Sequence, residues 1–190
     1  IHINTSAVLG ALFRDMTLYR KLLVACRDQD ISPDFLYWHD DHFLLSGVKA
    51  AKFTYHPKGR LEDSMKARTM RDPYRDVLSN TIKTLLQKRA PVLDFDTHCP
   101  MVMNKEMFLL TVATVDWKRP GGYGVKSLYG NLAGVEGEYY PDCKIRRPTA
   151  KAEILQTIKD RPYFSTADRA LGPDLLEVFN GLYPKKSKFE

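Results

Sequence analysis

The 190-residue chain has few cysteines and no long apolar run, and both absences restrict its class. Its cysteines, Cys26, Cys99 and Cys143, are odd in number and widely spaced. That spacing fits neither a disulfide framework nor a zinc ribbon, and it favours a reducing compartment. Apolar stretches last only a few residues, so the sequence predicts no membrane-spanning segment. The first four residues lack the features of a signal peptide. We therefore expect a cytoplasmic protein.

Positive charge is in excess and unevenly distributed. The chain carries 29 Lys and Arg against 23 Asp and Glu, a net charge of +6. The excess lies in residues 57–92, with nine basic against four acidic, and in residues 144–190, with ten against six. Residues 93–143 are mildly acidic. Such basic segments favour an anionic partner, whether nucleotide phosphates, nucleic acid or an acidic glycan. The alternative is a solvated surface that keeps the protein soluble.

Apolar spacing predicts an alternation of helices and short strands. Helices are expected over residues 6–27 and 73–88, and near 151–159 and 174–182. A further helix is expected to begin after Asn104, which could cap it. Extended segments are expected at 35–38, 91–96 and 163–164. Residues 56–72 predict a long, mobile loop, and residues 121–124 a flexible turn. This order predicts an α/β fold over residues 1–190, one domain with a mainly parallel central sheet flanked by helices.

The aromatic strand that begins at Phe35 ends in two adjacent carboxylates. Asp40 and Asp41 repel each other, and burying them unpaired costs free energy. A divalent cation such as Mg²⁺ or Mn²⁺ resolves the repulsion, because it binds carboxylates together with substrate phosphates. His39 and His42 add imidazole donors. The pattern predicts a metal site at Asp40 and Asp41. The alternative is a turn in which one Asp caps the backbone and the other is solvated.

A second predicted strand also ends in acid and imidazole. Strand alternation places Asp94, Asp96 and His98 on one face. Two carboxylates beside an imidazole can bind a metal or hold a general base in the required tautomer. These three residues are therefore candidate catalytic residues, and His98 is also a candidate metal ligand. The alternative is a strand end whose polar side chains satisfy nearby backbone groups.

Two further segments carry cations that suit a phosphate. The run Gly121–Ser127 lacks the glycine before Lys126 that a Walker loop requires, so a flexible lid or acceptor loop is the better interpretation. The basic cluster Lys144–Arg147 precedes a predicted helix, and it suits a diphosphate as well as a solvated edge. Lys126, Arg146 and Arg147 are thus candidates for stabilising leaving phosphates.

Three segments resemble glycosyltransferases of the GT-A class. Residues 35–44 resemble its aspartate motif, most of all that of Stealth-type sugar-phosphate transferases, where Asn-Asp-Asp follows an aromatic strand; His39 replaces the Asn. Thr97–Pro100, followed by Asn104–Lys105, is similar to a later Stealth block in which a His precedes a Pro and a basic residue follows. Pro184–Glu190 is similar to the end of phage-encoded glycosyltransferase-like proteins. The first two matches span about seventy residues.

The resemblance implies a nucleotide-sugar donor, a Mn²⁺ or Mg²⁺ ion held by Asp40 and Asp41, and a later Asp or His near the acceptor. It also implies that Lys105 helps to bind the substrate. Two other Stealth blocks, a Val-Asp-Gly-like segment and a late Asn-Asp pair, are not found in the sequence. Only 39 residues precede Asp40, fewer than a GT-A nucleotide-binding half needs. We therefore expect either a GT-A-like domain that lacks part of this N-terminal half, as the C-terminal part of a longer protein, or a reduced or inactive relative.

Three functions follow from these patterns. The first is a metal-dependent transferase that moves a sugar or sugar phosphate from a nucleotide sugar to an acceptor hydroxyl, such as that of a glycan, in a bacterial or phage-infected host cytoplasm. The second is a phage DNA glycosyltransferase acting on a hydroxymethylated base, which the basic segments favour. The third is a non-enzymatic basic binding module whose acidic pairs are structural. Stabilisation by Mn²⁺ with a nucleoside diphosphate separates the enzymes from the binding module.

Overall fold

The computed structural model describes residues 14–185, which gather in two compact units. The first unit comprises residues 14–37, 53–97 and 101–140, and the second comprises 38–52, 98–100 and 141–185. Each unit has its own apolar core. That residues 1–190 form one domain stays a prediction. The described residues do not include the start of the first predicted helix, which lies before residue 14. They also do not include residues 186–190 of the C-terminal motif.

The first unit is mainly helical. Its elements are α1 (Arg14–Arg27), β1 (Asp34–Tyr37), α2 (Leu61–Lys66), α3 (Tyr74–Gln87), β3 (Met101–Asn104), α4 (Lys105–Ala113) and α5 (Val125–Leu132). Strands β1 and β3 pair antiparallel, with Asp34 opposite Asn104 and Tyr37 opposite Met101. The core beneath them includes Tyr19, Phe108 and Leu128, all fully buried.

The predicted cap at Asn104 is confirmed, and it fixes the passage from β3 to α4. The Asn104 side chain accepts hydrogen bonds from the backbone N–H groups of Glu106 and Met107. These donors have no partner within a helix, so the cap stabilises its start. The strand predicted at residues 35–38 is confirmed as β1, which ends one residue earlier at Tyr37.

The second unit is built on a three-stranded sheet. Its elements are β2 (His42–Leu44), β4 (Lys144–Ile145), α6 (Lys151–Ile158), β5 (Tyr163–Thr166) and α7 (Pro173–Leu182). Strand β5 lies in the middle, antiparallel to β2 and parallel to β4. Helices α6 and α7 bury Ile154 and Leu175 in a core that also contains Phe164. Both predicted C-terminal helices and the extended segment at 163–164 are confirmed.

The chain is a mixed α/β protein, as predicted, but the mainly parallel sheet is wrong for the described residues. Two of the three strand pairings there are antiparallel, and they belong to two small sheets. Residues 91–96 form no regular strand and make only one isolated bridge, between Leu93 and Arg60. Part of this backbone bonds to that of residues 58–61, where the Asp94 N–H donates to the Gly59 carbonyl oxygen at 2.8 Å. The rest bonds to helix side chains: Asn131 accepts from the Leu93 N–H, and Ser127 accepts from the Phe95 N–H. The apolar composition of residues 91–96 predicts an extended backbone, but it does not predict the hydrogen-bond partners of that backbone.

The long loop predicted at residues 56–72 is also wrong in part, because α2 lies within it. Leu61 is completely buried and anchors the first turn. Glu62 and Asp63 lie in that turn and Lys66 in the last one, an order that suits the helix dipole. Met65 of the same helix packs, partly buried, against the core that holds Leu61. Two apolar contacts with favourably placed charges thus accompany this short helix, although the segment is poor in apolar residues.

Candidate functional site

A tight turn in the second unit brings two imidazoles together. The His42 N–H donates to the His39 carbonyl oxygen at 3.2 Å, which closes a four-residue turn around the two aspartates. The first and last side chains of this turn stack, with ring centroids 4.9 Å apart and planes inclined by 14°. The Trp38 indole N–H donates to the His42 carbonyl oxygen at 3.1 Å and holds the turn in place. The turn therefore directs His39 and His42 to one side.

Three side chains of the turn have the spacing of metal ligands. One ligand atom each from His39, Asp41 and His42 lies within 4.8 Å of the other two. His42 is buried, whereas His39 and Asp41 are partly exposed, so the group is accessible from solvent. Asp40, which sequence reasoning paired with Asp41, is exposed and does not belong to this group. In the part of the chain that the structure describes, the candidate ligand set is therefore two imidazoles and one carboxylate.

The sheet of the second unit brings a lysine to the same carboxylate. His42 on β2 and Lys144 on β4 both lie opposite Ser165 on the central strand β5, so they occupy one row across the sheet. The Lys144 ammonium lies 2.7 Å from Asp41 Oδ2, and His42 Nε2 lies 3.6 Å from Asp41 Oδ1. Ser165 is fully buried, and its hydroxyl oxygen has no hydrogen-bond partner among the described residues.

Electrostatics keep Asp41 ionised. Burial acts to raise the pKa of Asp41, but the hydrogen bond and charge of Lys144, with the charges of His42 and His98, outweigh it. The pKa of this carboxyl therefore lies below its ordinary value of 3.8. A carboxylate that stays deprotonated is ready to bind a cation, and the contribution of His98 shows that its ring belongs to the same electrostatic surroundings.

A second acid holds His98. Asp142 Oδ1 accepts from the His98 backbone N–H at 2.8 Å, and Asp142 Oδ2 lies 2.6 Å from His98 Nδ1. The Arg146 guanidinium donates to the same Oδ2 at 3.0 Å. The His98 side chain remains 30% exposed. The second unit thus holds His98 through a carboxylate that sequence reasoning did not identify.

Asp94 and Asp96 form a separate network in the first unit. Asp94 is 1% exposed and accepts hydrogen bonds from the hydroxyl of Ser64 and the backbone N–H of Asp96. The Ser127 hydroxyl donates to Asp96 Oδ2 at 2.7 Å, and Lys58 lies 3.5 Å from Asp94 Oδ2. Burial raises the pKa of Asp96, and the charge of Asp94 raises it further. This enclosure favours a structural role over proton transfer to an external substrate.

Three of the four predicted diphosphate-binding cations are engaged by the protein itself. Lys105 donates to the carbonyl oxygens of Asp28 and Ile31, at 2.6 and 2.7 Å. Lys126 is buried and donates to a backbone carbonyl. Arg146 bonds to an acid, as described above, but its side chain is 55% exposed. Arg147 is exposed. The described contacts thus leave Arg146 and Arg147 as the two that face solvent.

Sequence reasoning found part of this site. It singled out Asp41, His98 and Arg146, and it named His39 and His42 as imidazole donors. It missed Asp142, because a single acid 44 residues away from His98 carries no pattern. It also failed to separate Asp40 from Asp41, since the closing hydrogen bond of the turn decides which side chain points where.

Within residues 14–185, no helix is both long and apolar enough to cross a bilayer. Comparison of the chain with models of known protein families and with curated proteins gives no match.

Proposed function

We propose that the protein is a metal-dependent transferase that moves a sugar or sugar phosphate from a nucleotide-sugar donor to an acceptor hydroxyl. One observation carries the proposal: ligand atoms of His39, Asp41 and His42 lie within 4.8 Å of one another, beside the Lys144 ammonium. This arrangement combines a candidate cation site with a fixed positive charge. Both stabilise a diphosphate leaving group, because negative charge develops on it as the bond to the sugar breaks.

The ligand chemistry favours Mn²⁺ over Mg²⁺. Mg²⁺ prefers oxygen ligands, whereas Mn²⁺ belongs to the first-row transition series, whose members bind nitrogen ligands with Mn²⁺ as the weakest. Two of the three candidate ligands, His39 and His42, are imidazoles. A Mn²⁺ ion held by them and by Asp41 would supply positive charge to the donor diphosphate.

The protein's own side chains have separate tasks in this proposal. Lys144 keeps Asp41 ionised and adds a positive charge next to the candidate ligands. Arg146 and Arg147, both exposed, follow Lys144 in sequence and are available to a phosphate. Asp94 is enclosed in the first unit, so the general base of the proposal is His98, which is partly exposed.

Donor consumption tests the proposal. The chain is incubated with uridine, guanosine and cytidine nucleotide sugars, with Mn²⁺ or with chelator, and the released nucleotide is measured. Acceptors include a glycan and DNA containing a hydroxymethylated base. We expect Mn²⁺-dependent release that Asp41→Asn abolishes. Asp160→Asn, which removes the same charge at an exposed position of the second unit, should retain the activity.

The result also separates the alternatives. Transfer only to the hydroxymethylated DNA would identify a DNA glycosyltransferase. Release that does not depend on the metal, or that Asp41→Asn leaves unchanged, would contradict the proposal. A folded chain that consumes none of the donors would favour a basic binding module.

A further inference from the structure

The contact between His98 and Asp142 has the geometry of an oriented acid–base pair. Asp142 Oδ2 lies 2.6 Å from His98 Nδ1, and Asp142 Oδ1 accepts from the His98 backbone N–H at 2.8 Å. One carboxylate therefore holds both the ring and the main chain of the same histidine. The other ring nitrogen, Nε2, makes no hydrogen bond to any residue in the described part of the chain, and the side chain is 30% exposed.

The sheet fixes the position of this carboxylate. The backbone N–H of Ser165 donates to the carbonyl oxygen of Cys143, the residue after Asp142, at 2.9 Å. The next N–H of the same strand, that of Thr166, donates to the carbonyl oxygen of Asp41 at 3.1 Å. Consecutive residues of β5 thus anchor the segments that carry both acids. Arg146 donates to Asp142 Oδ2 and restricts it further.

We propose that Asp142 is a positioning residue that holds His98 with its proton on Nδ1, so that Nε2 accepts the proton of the acceptor hydroxyl. A carboxylate can only accept a hydrogen bond, so a neutral imidazole must place its N–H toward Asp142. The lone pair is then on Nε2, which makes no hydrogen bond to the described residues. This inference rests on the proposed transferase function and adds to it a residue that sequence reasoning did not single out.

The proton and the electrons balance in this step. The acceptor hydroxyl gives its proton to His98 Nε2, and its oxygen forms a bond to the reacting carbon or phosphorus of the donor. The bond from that atom to the leaving nucleotide phosphate oxygen breaks, and its electron pair departs with the nucleotide. His98 is then an imidazolium whose charge Asp142 stabilises until the proton passes to solvent.

Replacing Asp142 with Asn should reverse the tautomer. The His98 backbone N–H still needs an acceptor, so the amide oxygen stays at the Oδ1 position. The amide nitrogen then occupies the Oδ2 position and faces His98 Nδ1, while the Arg146 guanidinium, which is also a donor and is exposed, turns from it to solvent. Because that nitrogen is a donor, Nδ1 must accept from it, and the ring proton moves to Nε2. An Nε2–H cannot take a proton from a hydroxyl.

Nitrogen NMR of the whole chain labelled with ¹⁵N-histidine tests the tautomer without any turnover. The chain has five histidines, and His98→Gln assigns the signal of interest. We expect wild-type His98 to be protonated on Nδ1 where the ring is neutral, and Asp142→Asn to be protonated on Nε2. Arg146→Gln leaves the carboxylate in place and should keep the wild-type tautomer. An Nε2–H tautomer in the wild type would overturn the inference, and that spectrum requires no variant at Asp142 to fold.

Nucleotide release from the donor, measured on the same proteins with Mn²⁺, tests the catalytic consequence. Asp142→Asn should lower turnover by about 10²- to 10⁴-fold, the usual contribution of a general base. Asp160→Asn should leave it unchanged. A reversed tautomer with undiminished turnover would overturn the role of His98 as the base. Absence of release in the wild type would count against the proposed function, whereas an Nε2–H tautomer in an active wild type would count against Asp142 alone.

Discussion

Asp41 Oδ2 and Lys144 Nζ lie 2.7 Å apart, although 103 positions separate the two residues in sequence. The pair is partly buried, with side-chain exposures of 26% for the aspartate and 13% for the lysine. Strand β5 creates the contact, because its Ser165 pairs with His42 on one side and with Lys144 on the other. The contact links the stability of the small sheet to the charge of the candidate site.

Loss of the Lys144 ammonium should destabilise the second unit. Lys144→Met removes the charge but keeps an apolar stem, and it leaves Asp41 without its main partner. We expect the free energy of unfolding to fall by about 1 to 3 kcal/mol, between the values for exposed and buried ion pairs. Urea denaturation measures the change.

Lys159→Met is the matched control, since Lys159 is exposed in the same unit. It should alter stability little. In a double-mutant cycle with Asp41→Asn, the two changes at the ion pair should be non-additive. Additive effects would show that the 2.7 Å contact contributes nothing to stability.

Gly124 should tolerate no larger side chain, because Asp96 lies against it. A Cβ atom at this position would overlap with Asp96 Oδ2, within a network that also holds Ser127. Gly124→Ala should therefore cost about 1 to 3 kcal/mol of stability through overpacking. Gly181→Ala, where a Cβ meets nothing within 4 Å at an exposed site in α7, should instead stabilise by about 0.5 kcal/mol. Equal effects of the two changes would contradict the close packing of Asp96 against α5.

Asp96 should make stability depend on pH. Its pKa is raised above 3.8 because burial, and then the charge of Asp94, disfavour its ionised form. Three interactions favour the ionised form and lower the pKa in part: the charge of Lys126, the Ser127 hydrogen bond and the charge of Lys58. The folded state therefore binds the proton more tightly than the unfolded state. Its contribution to stability falls as the pH rises from 3.8 through the raised pKa.

Asp96→Asn removes this titration, so the variant should gain stability relative to wild type across that pH range and then level off. Urea unfolding at a series of pH values gives the difference. Glu136→Gln, an exposed carboxyl of the same unit, is the control for the change of charge. A difference that stays constant with pH, or that falls as the pH rises, would be incompatible with the raised pKa of Asp96.

The sequence predicts individual helices and strands better than the segments with which they form hydrogen bonds. Helix α4 could be predicted because its cap, Asn104, directly precedes it. Strand β1 could be predicted because its residues from Phe35 to Tyr37 are apolar and mostly aromatic. The sequence predicts a strand of a parallel sheet at residues 91–96, whereas this backbone bonds to residues 58–61 and to side chains of α5. The bonds to α5 join residues 32 and 38 positions apart, and no local pattern encodes them.

In the candidate site too, local groupings could be predicted from the sequence and long-range contacts could not. Asp41, His39 and His42 are neighbours in sequence, so their grouping could be anticipated. Asp142 reaches His98 only through the register of β4 and β5, which periodicity does not predict.

Mn²⁺-dependent thermal stabilisation tests the central claim most directly. Wild-type protein, His39→Gln, Asp41→Asn and the control Asp160→Asn are melted with chelator, with Mn²⁺, and with Mn²⁺ plus uridine diphosphate. Because a ligand that binds only the folded state raises the melting temperature, we expect Mn²⁺ to stabilise the wild type and the control, and the nucleotide to add to that shift. His39→Gln and Asp41→Asn should show neither shift. A wild type that Mn²⁺ leaves unchanged, or equal shifts in all four proteins, would contradict a metal-dependent site at this turn.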